Sequence, residues 1–318
     1  MIVINILLLI LGFILLIKGA DFFVDGASST AQNFKVSKML IGLTIVAFGT
    51  SAPELAVSIS SLLKGSTDMV LGNVIGSNIL NILLILGIAA VIRPINIKSN
   101  TVKKELPLTM LISTLLVVLF LDINLQNNTV NQISKGDGIV LLLFFSIFLY
   151  YLLSMAKQKS KLKEDNTPKF KLTHSIFLII LGLIGIILGS DMVVNNATSI
   201  ATSLGVSERI ISLTIIAFGT SLPELVTTIV SAKKGELDLL VGNIIGSNIF
   251  NICIVLGIPV TLFGFVTPKS FEIIDLLFLI LSSIMLFIFS KTNKKITRFN
   301  GIIMLITFIF YYLLVFFS

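Results

Sequence analysis

The sequence predicts an all-α integral membrane protein with ten transmembrane helices, built as two inverted five-helix repeats. Three observations lead there. First, 55% of the 318 residues are hydrophobic and 12% are charged, about half the charge of a soluble domain, and the mean hydropathy is +1.06. Second, apolar runs such as Leu7–Ile17, Leu108–Leu121 and Leu276–Phe289 recur between short polar breaks, at the length that a hydrocarbon core of about 30 Å demands. Third, the chain superimposes on itself after a shift of 170 residues, which lays Thr44 on Thr214. Leu43–Gly87 then matches Leu213–Gly257 at 27 of 45 positions without a gap, and weaker similarity pairs Gly12 with Gly182 and Asp21 with Asp191.

The spans are expected at 2–24, 38–63, 69–92, 106–122, 137–156, 174–198, 209–232, 238–264, 272–290 and 299–317. The first five make one repeat, residues 1–156, and the last five make the other, residues 174–318. An odd number of spans per copy makes the second enter the membrane from the opposite side, a recurring plan of secondary transporters that open alternately to either face. The first span lacks a basic leading region and a small-residue cleavage site, so it is read as a retained helix with an internal copy.

The net charge of +7 does not form a basic patch for nucleic acid, because the cations lie in loops. With the N-terminus outside, 18 of the 23 Lys and Arg fall in the inner loops, four fall in the outer loops, and Lys18 sits at the inner end of the first span. That asymmetry predicts a multi-pass protein with extracellular termini. The stretch 157–173, with its run KQKSKLKED and Pro168, becomes the cytoplasmic connector between repeats, a solvated loop attracted to anionic lipid. The expected partners are the bilayer and transported cations, with no nucleic acid and no obligate protein partner. Cys253 is the only cysteine and lies in an apolar span, where packing is favoured over redox chemistry.

Two polar strings are embedded in the apolar helices of each repeat. The first is AFGTSAPEL, ending at Leu55, and AFGTSLPEL, ending at Leu225; the second is GNVIGSNILN (Gly72–Asn81) and GNIIGSNIFN (Gly242–Asn251). At about 1.5 Å per helical residue, Glu54 lies roughly 24 Å along the chain from Lys38 and roughly 15 Å from Lys64, and Glu224 is placed similarly between Arg209 and Lys233. Both carboxylates are therefore near mid-membrane, where a charge costs several kcal/mol. No span supplies a Lys or Arg to neutralise them, so the neutralising partner comes from solution as a cation.

Pro53 offers no N–H to the carbonyl of Gly49, and Pro223 none to Gly219, so each glycine loosens a turn the proline has broken. Carbonyls around Ala47 to Gly49 are expected to be freed; at this depth they persist where they line a polar cavity or are buried in protein. Thr50 and Ser51 stand four and three residues before Glu54, on a shared face, and Asn73, Ser77 and Asn81 recur every four residues. The second copy repeats the set as Thr220, Ser221, Glu224, Asn243, Ser247 and Asn251. Carboxylate, hydroxyl, amide and carbonyl oxygens alone suit Ca²⁺, Na⁺ or Mg²⁺ rather than zinc or copper. Gly72 with Gly76, and Gly242 with Gly246, are expected to admit a neighbouring helix backbone at close range.

Other polar residues have simpler readings. Thr44, Ser58, Asn78 and Asn248 are expected to hydrogen-bond between helices, and Asp21 and Asp191 to do so near span ends. His174 sits at the interface, while Asp68 and Asp238 favour helix N-termini. An intramembrane enzyme would require a nucleophile–base pair or a set of metal-type histidines, and neither stands out. A gated cation channel remains as a reading from another class; it predicts flux without counter-ion coupling.

Two inverted copies of GTSxPEL followed by GNxIGSNxxN resemble the α-repeats of the sodium/calcium exchangers, within the cation/calcium antiporter superfamily, and most closely its short prokaryotic members. The motifs cover both copies and the ten-span plan covers the chain. The resemblance implies an antiporter in which inward sodium movement drives calcium export, with no cofactor and with Ca²⁺ and Na⁺ as the transported ions. By motif position it places ion ligands on Thr50, Ser51, Glu54, Ser77 and Asn81, on Thr220, Ser221, Glu224, Ser247 and Asn251, and on the carbonyls of Ala47 and Ala217. Some members carry an aspartate at the end of one second string, whereas this chain has Asn81 and Asn251. That leaves two central acids and does not assign potassium dependence or proton coupling; a proton/calcium or other cation/proton antiporter, in which the glutamates exchange protons for the divalent ion, is the alternative.

Overall fold

The computed structural model describes residues 2–126, 129–157, 168–205, 217–267, 273–292 and 294–317, and is nearly all helical. The main helices are α1 (Ile2–Asn33), α2 (Lys38–Thr50), α3 (Ala52–Leu63), α4 (Thr67–Ile92), α5 (Leu106–Phe120), α6 (Lys135–Lys157), α7 (Leu172–Ser203), α8 (Leu222–Lys234), α9 (Leu237–Phe263), α10 (Ile273–Lys291) and α11 (Arg298–Phe317). Among the described residues, seven helices (α1, α4, α6, α7, α9, α10 and α11) are each long and apolar enough to span a bilayer. The pair α2 and α3 makes an eighth candidate, bent by 43°. The chain is thus a multi-pass membrane protein. The span expected at 106–122 is a 15-residue helix that follows a π-helical turn at Thr101–Glu105 carrying Lys103 and Lys104. The start of the span expected at 209–232 lies outside the described residues, whose next elements are a short turn at Ala217–Gly219 and then α8.

Two compact units form, Met1–Pro53 with Gln158–Asn243 and Glu54–Lys157 with Ile244–Ser318. Each draws on both sequence repeats.

In the first unit, α1 and α7 run side by side, and both are 32 residues long. Glycines let their backbones touch. A Cβ on Gly182 would lie 2.5 Å from the Phe23 nitrogen, and one on Gly189 would lie 2.6 Å from the Leu16 nitrogen, so only a hydrogen fits. The contacts are reciprocal: Gly19 meets the Gly182 carbonyl and Gly12 meets the Gly189 carbonyl. Because the 170-residue shift maps Gly12 to Gly182 and Gly19 to Gly189, this is the pattern that twofold-related copies generate. Around the seam, Leu16, Phe23, Val24, Ile186, Val230 and Leu239 form a buried core. The outer face of α1, with Ile4, Leu7, Leu11 and Ile14, is exposed as lipid-facing positions should be.

α1 continues past the expected span end at residue 24 to Asn33, and the acids it carries near that point are paired. Lys234 Nζ lies 2.8 Å from Asp25 Oδ1 and 3.4 Å from Asp21 Oδ1, and Lys169 Nζ lies 2.8 Å from Asp25 Oδ2. Nearby, Glu236 accepts from Lys38 Nζ at 2.6 Å and 2.8 Å and from Ser28 Oγ at 3.0 Å. Asp21 thus has the ordinary role expected of it.

In the second unit, α5 and α10 meet where Ser283 Oγ donates to Ser113 Oγ at 3.2 Å, and the repeat superimposes these two serines on each other. The end of α4 packs on α11 at Gly87 and Gly301, and the end of α9 packs on α6 at Gly257 and Gly138. Two acids are met by tyrosines: Tyr151 donates to the buried Glu105, and Tyr311 donates to the half-buried Asp275 at 2.7 Å. A small antiparallel ribbon, β1 (Ile95–Asn96) with β2 (Lys295–Ile296), is an addition to the all-α expectation.

Substituting alanine at Gly182 should separate α1 from α7 and lower stability by about 1–3 kcal/mol, as overpacking does. Gly136→Ala is the control, since its Cβ would meet only Ser134 Oγ, at an ordinary 3.6 Å. Thermal unfolding in detergent should show a lower transition for the first variant and an unchanged one for the second.

Candidate functional site

Both copies of the first string break their helix in the same way. Ser51 has φ −88° and ψ 7°, and Ser221 has φ −91° and ψ 6°, the sparsely populated bridge region between helix and strand. The prolines two residues on explain the break, since neither can continue the backbone ladder. The second strings also depart from α geometry where they end, with π-helical turns at Leu80–Ile85 and Asn251–Leu256. Such turns shift side chains off the regular helical register and are frequent at functional sites.

The first unit holds Thr50, Ser51, Thr220, Ser221, Glu224 and Asn243. Glu224 is fully buried and accepts from Ser51 Oγ at 2.9 Å. Thr50 Oγ1 faces the Val46 carbonyl at 3.1 Å and Asn243 Oδ1 at 3.2 Å, while Asn243 Nδ2 donates to Thr228 Oγ1 at 3.4 Å. These contacts join the first string of one repeat to both strings of the other. Thr220 is half-buried. Gly242 admits a helix at close range as expected, a Cβ there lying 2.6 Å from the Met39 carbonyl and 2.9 Å from Gly42 Cα.

The second unit holds Glu54, Asn73, Ser77, Asn81, Ser247 and Asn251. Glu54 is fully buried, and Asn73 Nδ2 donates both to its backbone carbonyl and to Ser58 Oγ, at 2.9 Å each. The pairing of Asn73 with Ser58 is the repeat counterpart of Asn243 with Thr228, so both asparagines hold neighbouring helices in place. Asn81, Ser247 and Asn251 are buried. Asn81 Oδ1, Ser247 Oγ and both polar atoms of the Asn251 amide have no hydrogen-bond partner among the described residues. Buried oxygen without a donor is costly in an apolar interior and suits a cation that arrives from solution.

The expectations for two carbonyls need correction, as do those for Thr44 and Asn78, which hydrogen-bond the Leu40 and Val74 carbonyls of their own helices. The Ala47 carbonyl is not freed by the break: it accepts from the Ser51 N–H at 3.0 Å, because the ladder fails at proline itself and not a turn earlier. Thr50 Oγ1 also lies 3.4 Å from that carbonyl. Gly219 loses its helical donor, but Ser190 Oγ replaces it, donating to that carbonyl at 3.0 Å. Among the described residues, a Cβ on Gly72 or Gly76 would have no atom within 4 Å, so the close approach expected there has no described counterpart to that at Gly242. The repeat counterpart of Gly42 is Ser212, which lies outside the described residues. Gly246 and Gly49 are buried, as is Pro223, whereas Pro53 is half-buried. Ala217 opens the short helical turn that precedes the second break.

Comparison with known proteins adds to this geometry. The family model described as sodium/calcium exchanger protein matches residues 4–154 and 174–317. The chain belongs to the sodium/calcium exchanger family. The gap between the two matched stretches of this family member falls on the polar connector. Its relatives include the sodium/calcium exchanger MaX1 of Methanosarcina acetivorans, 32% identical over 100% of both chains. Another is the inner membrane protein YrbG of Escherichia coli, 39% identical over 83% of this chain and 81% of that protein. Among solved structures, the sodium-calcium exchanger NCX_Mj soaked with 10 mM Na⁺ and zero Ca²⁺ is 34% identical, with a TM-score of 0.84 over 100% of this chain and 99% of that one.

Sequence reasoning missed Ser190, since the repeat comparison aligns it with Ala20, which has no donor. Ser190→Ala should leave a buried carbonyl unsatisfied and cost about 1 kcal/mol, read as a lower unfolding midpoint in detergent. An unchanged midpoint would show that the hydroxyl does not stabilise the break.

Proposed function

We propose that this chain is a sodium/calcium antiporter that exports Ca²⁺ in exchange for Na⁺ by alternating access. The observation that carries the reading is the duplicated Gly-Thr-Ser-x-Pro-Glu string, whose glutamates, Glu54 and Glu224, are both fully buried in a member of this exchanger family. Buried carboxylates at membrane depth are functional in most proteins that keep them. The donor set is wholly oxygen, which suits Ca²⁺ and Na⁺. Thr50, Ser51, Ser77, Asn81, Thr220, Ser221, Ser247 and Asn251 are the neutral ligands of the proposal, with the Ala47 and Ala217 carbonyls beside them. Asn73 and Asn243 act behind them. No cofactor is invoked, because the transported ions are the substrates.

The proposal includes ten spans as two inverted copies, residues 1–156 and 174–318, joined by a cytoplasmic connector at 157–173. The reciprocal contacts at Gly12, Gly19, Gly182 and Gly189 support it. The distribution of Lys and Arg supports extracellular termini and a place in the plasma membrane of a prokaryote. A proton-coupled calcium antiporter is the second reading, favoured by amides at both Asn81 and Asn251, which leave two carboxylates to balance the charge.

The test is uptake of radiolabelled calcium into proteoliposomes loaded with sodium, or with a pH gradient in its place. Sodium loading should drive uptake in the wild type, and Glu54→Gln or Glu224→Gln should each reduce it at least tenfold, a cost of about 1.4 kcal/mol or more. Undiminished exchange in both variants sinks the ligand assignment. Uptake driven by the pH gradient alone selects the second reading, and rapid calcium loss with no counter-cation selects a channel.

A further inference from the structure

The two repeats do not treat their last asparagine alike. In the second unit, Asn81 Nδ2 donates to Asn248 Oδ1 at 3.0 Å, with both side chains buried to within 1% of complete. The 170-residue shift turns this contact into one between Asn251 and Asn78. That contact is not made: Asn78 Nδ2 donates instead to the Val74 carbonyl of its own helix, at 2.7 Å. Asn251 is left with neither amide atom hydrogen-bonded among the described residues, whereas Asn81 lacks a partner only at Oδ1.

The difference has a chemical consequence. A carboxamide has a donor end and an acceptor end, and only the oxygen can ligate a metal cation. By accepting from Asn81 Nδ2, Asn248 fixes which end of Asn81 remains available. Turning Asn81 over would set its oxygen against Asn248 Oδ1, two acceptors facing each other in a buried site. The freed end is therefore the oxygen, already oriented before a cation arrives, and a preorganised ligand binds without the cost of ordering. Asn251 has no such constraint and has to be oriented by the ion itself.

We propose that Asn248 is a positioning residue, which holds the Asn81 carboxamide with its oxygen presented to the transported cation, and that no counterpart does this for Asn251. The inference rests on the reading of Asn81 as a ligand. It also changes the role of Asn248 from interhelical glue to a determinant of affinity, and it makes the pseudo-symmetric halves chemically unequal.

Sodium-driven calcium uptake in proteoliposomes tests it through the calcium concentration that gives half-maximal rate. Asn248→Leu should raise that concentration about three- to tenfold, the equivalent of one lost hydrogen bond, with the maximal rate preserved. Asn78→Leu should leave the value unchanged. In an Asn81→Ala background, Asn248→Leu should add nothing, because the group it positions is gone; a purely structural role would persist there. If Asn248→Leu does not fold, Asn248→Ser, whose hydroxyl is too short to reach, is read in its place. An unchanged half-maximal concentration in that variant, or an equal shift in the Asn81→Ala background, overturns the inference. Unimpaired uptake by Asn81→Ala overturns the ligand reading beneath it.

Discussion

A carboxylate buried at membrane depth has to be met by donors or by a cation, and the two fully buried glutamates of this chain set the terms for what surrounds them. Glu224 receives a hydroxyl from Ser51, a residue of the other repeat. That contact requires Ser51 to leave helical geometry, which the following proline imposes. The helix break is thus tied to the acid: the same string that introduces Glu54 supplies the donor for Glu224. Had the string lacked proline, Ser51 would sit within a regular turn, and its hydroxyl would be drawn to its own helix backbone, as the hydroxyl of Thr44 is to the Leu40 carbonyl.

The asparagines divide into two groups by what their amides touch. Asn73 and Asn243 spend their amide hydrogens on neighbouring helices, Asn73 on the Glu54 carbonyl and Ser58, Asn243 on Thr228. Asn81 and Asn251 keep oxygen in reserve. Membrane helices that carry such groups must satisfy them internally or with ions, so this difference separates amides that join helices from amides with unsatisfied oxygen more sharply than their sequence spacing does. Symmetry fails at the same place, and also at Ser190, where one glycine carbonyl gains a hydroxyl that Ala20 cannot provide to the other. Sequence duplication fixes a common frame, and single substitutions then make the copies unequal.

Much of this was legible in the residues alone. Apolar run length located the spans to within a few residues at α4, α6, α9, α10 and α11, because the thickness of hydrocarbon sets their minimum length. The 170-residue self-match located both helix breaks, since proline acts locally and identically wherever it occurs. What escaped was long-range. The partners of Asp25, Lys169 and Lys234, lie more than a hundred residues away. The Ala47 carbonyl stays bonded because a missing proline N–H affects the residue four before it and leaves the preceding hydrogen bonds intact.

The charge distribution follows from the same physics. Lys38 opens α2, Lys234 closes α8 and Lys169 precedes α7, and all three are engaged by Glu236, Asp21 and Asp25 within the first unit. An isolated exposed pair contributes little, but here Asp25 serves two lysines and Glu236 accepts from a lysine and a serine together. Networks of this kind gain from partial desolvation and from sharing one carboxylate among several donors. Cations of the connecting segments are therefore also used inside the fold, where they pair with Asp21 and Asp25 in the last third of α1.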